Sequence, residues 1–160
     1  MHIANASQLD EIATLANTSG VDLHALCLDH VQLDLAGQSQ FDQLFGNSVS
    51  AQLAAADATP IVAATTSPLD AAITTLHHEN VDISTIDFAD NAGNISISVA
   101  QAQTLLDNGL HFAANDHISL DVSAAQATHL GSTLADIHKL GVDTLTVHDK
   151  AADGSHIDTA

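Results

Sequence analysis

The sequence predicts an α/β fold in which repeated strand-helix units form a parallel sheet or a short solenoid-like stack. Two alternating apolar runs, Ile95-Ser-Ile-Ser-Val99 and Ile118-Ser-Leu-Asp-Val122, have the period-2 pattern of half-buried strands. Each leads into a Ser/Ala-rich helix start, with Ala102-Gln-Thr-Leu-Leu106 after the first and Ala125-Gln-Ala-Thr-His-Leu130 after the second. The pair recurs at an offset of 23 to 24 residues, which is room for one strand, one short helix and a turn. Strands joined through a single short helix run parallel.

A longer period contains the shorter one. Leu9-Asp-Glu-Ile-Ala-Thr-Leu15 through Gly20-Val21-Asp22 aligns without a gap, 60 residues on, with the stretch from Leu69 to Leu76 and Asn80-Val81-Asp82. A third copy starts at Leu134-Ala-Asp-Ile137 and reaches Gly141-Val142-Asp143. Three helices therefore end in Gly or Asn ahead of Val-Asp, a C-cap that feeds a strand. These matches divide one repeat-built domain, residues 1–160, into copies at about 9–68 and 69–133 and a partial copy at 134–160. A copy that stops as its strand begins, at His156-Ile157-Asp158, is what a fragment of a longer array would show.

In chain order, strands are expected near 21–28, 31–35, 60–64, 81–88, 95–99, 118–122 and 142–148. Val31-Gln-Leu-Asp-Leu35 aligns with Ile95–Val99 once a four-residue insertion, Asn91–Asn94, is allowed. The Ala/Thr-rich middle, which holds the two prolines Pro60 and Pro68, reads as a helix over Ala51–Ala58 and a strand over Ile61–Ala64. Pro68 then opens the next helix with Ser67 as its cap. Val142-Asp-Thr-Leu-Thr-Val147 tracks Val81-Asp-Ile-Ser-Thr-Ile86, and Asp149, Asp153 and Gly154 follow it as Asp87, Asp90 and Gly93 follow the earlier strand.

The run Ile97-Ser-Val-Ala-Gln-Ala-Gln-Thr-Leu105, with Gly141-Val-Asp-Thr-Leu145 and the Asp90-Asn91 turn, resembles the tandem segments of large type-I-secreted, RTX-type (hemolysin-type calcium-binding) bacterial adhesins over residues 69–150. The Gly-Gly-x-Gly-x-Asp nonapeptides of that family are absent from this chain. The resemblance therefore implies secretion or display on the bacterial surface, with a structural or adhesive role. Its partners would be neighbouring repeats of the parent chain and a cell-surface or matrix ligand.

Charge and composition narrow the function independently. Twenty acids face two bases, Lys139 and Lys150, for a formal net charge of −18. Such a field repels phosphate backbones and anionic lipid, which excludes nucleic-acid partners. No run of 18 apolar residues occurs, so direct membrane insertion is not expected either. The chain is 46% hydrophobic with four Phe and no Trp or Tyr, enough apolar surface to fold but short of the aromatic anchors common at binding hot spots. The single cysteine, Cys27, lies in Leu26-Cys27-Leu28 and reads as a small core residue.

No nucleophile elbow, phosphate loop or dinucleotide fingerprint is present, and no Arg is available to clamp an anionic substrate. A non-catalytic role is the expectation. Eleven histidines invite a zinc reading, but the sequence has no element such as His-Glu-x-x-His to bring several ligands together, and scattered surface histidines are the simpler account. Calcium is the better metal candidate. Asp87, Asp90, Asn91 and Asn94 fall on one turn and Asp149 and Asp153 on its counterpart, carboxylates spaced to offer oxygen ligands to a hard cation. The alternative function is accordingly a calcium- or small-ligand-binding module with its site at these acidic strand-end turns.

Overall fold

A computed structural model describes residues 2–3, 6–16, 18, 30–46, 48–58, 72–76, 82–88, 94–150 and 156–159. The chain is α/β, with helices and two small sheets of mainly parallel strands. In order it forms β1 (His2–Ile3), α1 (Ala6–Ala16), β2 (His30–Leu35), α2 (Gln38–Phe45) and α3 (Val49–Ala58). A helical stretch at 72–76, α4, follows. Then come β3 (Asp82–Phe88), β4 (Asn94–Ser98), α5 (Val99–Asp107), β5 (His111–Phe112), β6 (His117–Ser123) and α6 (Ala124–Ala127). A 3-10 turn at Gly131–Thr133, α7 (Leu134–Lys139), β7 (Thr144–Lys150) and β8 (His156–Thr159) complete the order.

The first sheet has the order β1-β2-β3-β5 and is parallel throughout. The second has the order β4-β6-β7-β8, parallel except that β8 runs antiparallel to β7. The chain alternates between them. β3 and β4 go to different sheets, α5 returns, and β5 and β6 lie beside β3 and β4 respectively. A third pass begins at Leu140, whose carbonyl accepts from the Phe112 N–H at 2.7 Å, and continues into β7 beside β6.

The 23-residue repeat is a structural register. Ile95, Ser96 and Ile97 are the Cα partners of Ile118, Ser119 and Leu120. Both strands end in the same cap. Ser98 and Ser123 each accept the N–H of the residue three further on, and Gln101 and Gln126 return their side-chain carbonyls to the serine N–H groups. Each reciprocal capping box satisfies one free N–H of the helix and the N–H of its capping serine. At the end of α7, Gly141 takes φ +92, and a Cβ there would meet Phe112 Cβ at 3.5 Å. Glycine suits that place by its backbone conformation, and the 3.5 Å contact is an ordinary packing distance.

Helices bury residues spaced three and four apart, as the 3.6-residue period requires. Leu9, Ile12 and Ala13 do so on α1, Phe41, Leu44 and Phe45 on α2, and Ala72, Ile73 and Leu76 on α4. From the strands, Leu33, Leu35, Ile86, Ile97, Leu120 and Val122 join the same core, each nearly or fully buried.

Several elements differ from the sequence expectation. Val31–Leu35 and Ile95–Val99, aligned by the long offset, lie in different sheets, because an alternating pattern fixes which face is buried and not which sheet the strand joins. The same holds for the strand expected at 142–148, formed as β7 in the second sheet, although its sequence counterpart β3 is in the first. The strand at His156 forms, but in antiparallel pairing on β7 rather than as a parallel repeat of Ile95–Val99. The helix expected from Ala51 begins at Val49. The strands expected at 21–28 and 60–64, the Ser67-Pro68 helix start and Cys27 lie outside the described residues.

Candidate functional site

Three of the six predicted metal ligands are described, and they fall on three different strands, β3, β4 and β7. Asp87 stands near the C-terminal end of β3 opposite Asp34 of β2, and its Oδ2 accepts from Gln32 Nε2 at 2.7 Å. Asn94 is the exposed first residue of β4 and pairs in register with His117. Asp149 is a residue of the β7–β8 ladder, opposite Ile157. Asp90, Asn91 and Asp153 are outside the described residues. Among the described residues no three His, Cys, Asp or Glu side chains form a group able to hold a metal ion.

Two other acids serve the turns. The Asp116 carboxylate accepts from the Phe88 N–H at 3.3 and 3.4 Å, and Asp143 Oδ2 accepts from the Ile118 N–H at 3.1 Å. Each bridges one pass of the chain to the preceding one, the side-chain-to-backbone role that makes Asp common at turns. Asp116 is buried, and that burial raises its pKa above the ordinary carboxylate value, reinforced by the nearby Asp87 and opposed by the Phe88 N–H.

Because its folded pKa is the higher one, Asp116 binds its proton more tightly in the folded chain. Its contribution to stability is greatest below the unfolded value and is lost as pH rises through the folded one. Asp116→Asn keeps an oxygen for Phe88 and carries no charge. The variant is expected to be at least as stable as the parent at pH 7 and to lose less stability between pH 4 and pH 7, as read from thermal melts across that range.

The densest polar constellation is on the second sheet. Register places Ser96, Ser119 and Thr144 on one rung and Ser98, Asp121 and Thr146 on the next, with Ser123 beside His148. Ser98, Ser119, Asp121 and Ser123 are all buried. Ser119 Oγ donates to Asp121 Oδ1 at 3.2 Å and lies 2.9 Å from Thr146 Oγ1, while His148 Nε2 stands 3.5 Å from Asp121 Oδ2. The carboxylate thus sits between the hydroxyl and the imidazole. A hydrolytic relay needs the imidazole between the other two so that it can take the hydroxyl proton. This arrangement instead ties β6 to β7.

The network continues to the edge of β4 that faces away from β6. The Ser96 N–H donates to Gln38 Oε1 and Gln38 Nε2 donates to the Ser96 carbonyl, both at 2.8 Å. One carboxamide thereby makes the two bonds that a neighbouring strand would make. Gln38 and Gln101 both donate to Asp42 Oδ1, at 3.1 and 3.3 Å, and Ser98 Oγ donates to Gln52 Oε1 of α3, which packs on β4 and β6. Nothing in the sequence marked Gln38, because its partner lies 58 residues away.

No protein-family model matches the chain, and no curated protein or solved structure does so either.

Proposed function

We propose that the chain is a non-catalytic structural or adhesive repeat segment of a secreted bacterial surface protein. The observation that carries this reading is the coincidence of the 23-residue sequence period with the β4–β6 register. Successive units stack rung on rung with the same strand chemistry and the same helix cap, an arrangement suited to building length and stiffness. The polar ladder supports the same reading, since its hydrogen bonds brace neighbouring strands. A formal net charge of −18 keeps such a segment soluble and discourages self-association.

The test is location. An antibody raised against the chain is expected to label intact cells of the source organism or to detect the protein in their medium, and external protease should remove the label. Retention in the cytoplasmic fraction, protected from external protease until lysis, would overturn the proposal.

A further inference from the structure

A cavity of about 510 Å³ opens between α7 and the β6–β7 pair, walled by Leu120, Leu134, Ile137, Val142 and Leu145. Asp143, Thr144 and His138 also line it. Its origin lies in the stacking. Leu120 is fully buried, but its Cα partner on the next strand, Leu145, is 44% exposed. Among the described residues the first sheet has no strand beyond β5 to cover that position, and the Leu140–Gly141 segment lies against Phe112. Leu134 is exposed to a similar degree from the helix side. Of the three large apolar side chains left this open among the described residues, two face this single hollow.

We propose that this cavity is a binding site for a small hydrophobic amine. The volume falls in the range of small-molecule sites, whereas a protein partner would need about 800 Å² of surface on each side. Apolar walls receive an aliphatic or aromatic body. The Asp143 carboxylate, held in place by the Ile118 N–H and half exposed, offers the counter-charge for an ammonium group. The surrounding −18 charge favours a cation over an anion of the same shape. The site is separate from the proposed structural role, and neither depends on the other.

Isothermal titration of the full chain with decylammonium, decan-1-ol and decanoate, below their micelle concentrations and in 0.15 M sodium chloride, tests the inference. That salt shortens the range of the diffuse field to about 8 Å, leaving the local pair with Asp143. One saturable site is expected for decylammonium, with a dissociation constant roughly tenfold below that of decanoate and with decanol between them. Leu134→Asn and Leu145→Asn alter half-exposed side chains and should leave the circular dichroism spectrum unchanged while weakening decylammonium about tenfold. Asp143→Asn should bring decylammonium to the level of decanol. Absence of saturable binding, binding indifferent to both leucine variants, or equal affinity for decanoate and decylammonium would each overturn the proposal.

Discussion

Replacing Phe41 by alanine is expected to lower the unfolding free energy by about 3–5 kcal/mol. The four phenylalanines are the only aromatic residues in the chain, and all of them meet in one cluster. Phe41 is at its centre, fully buried, with ring centroids 4.3 Å from Phe45, 5.9 Å from Phe88 and 6.0 Å from Phe112. Phe88 and Phe112 come from adjacent strands of the first sheet, while Phe41 and Phe45 come from α2. Truncation at position 41 therefore loses transfer energy and also opens a hole between helix and sheet that neither can collapse to fill. Domains of this size have about 5–15 kcal/mol in total, so the variant should unfold at markedly lower urea. Far-UV circular dichroism is the readout, since the chain has no Trp. A loss below about 1 kcal/mol would show that α2 does not depend on this cluster.

That cluster also shows which parts of the fold could be read from the sequence. Strands near 95–99 and 118–122 were legible because a period-2 pattern repeated at a fixed offset, and the offset proved to be the register itself. The spacing of Phe41, Leu44 and Phe45 carries an equally good helical signal between Gly37 and Gly46, and sequence reasoning passed over it because α2 has no copy elsewhere. β5 was invisible for a different reason. Two residues, His111 and Phe112, contain no period, and only the neighbouring Thr85 and Ile86 make them a strand. Acidic turns were legible as turns, but their roles were not. Whether an aspartate holds a cation, a backbone N–H or a glutamine depends on what arrives from far along the chain, and Gln32 reaches Asp87 across 55 residues. The serines of the second sheet likewise alternate with apolar residues as a solvent-facing row would, yet Ser98, Ser119 and Ser123 are buried.

Gln38→Leu is expected to cost about 2–3 kcal/mol, although it removes no charge and leaves the apolar core untouched. The substitution strands the Ser96 N–H and carbonyl at the edge of β4, and each unsatisfied, partly buried backbone group costs roughly 1–3 kcal/mol before water reaches it. It also takes one donor from Asp42, which keeps the Gln101 side-chain amide of α5. An opened parallel edge is a template for strand addition, so sedimentation of the leucine variant should show association that grows with concentration while the parent stays unchanged. Gln38→Glu separates the hydrogen-bond account from one of shape alone. At neutral pH the glutamate can accept from Ser96 but cannot donate to it, and its charge faces Asp42, so the variant should be no more stable than Gln38→Leu. When pH falls and the glutamate takes a proton, it regains a donor as well as an acceptor. Its deficit relative to the parent, measured at the same pH, should then shrink, because the folded state binds that proton more tightly than the unfolded chain. The leucine variant has no proton to gain, and its deficit should stay level over the same range. A glutamate variant that tracks the leucine variant at every pH would mean that Gln38 fills space at the edge of β4 and does not stand in for a strand.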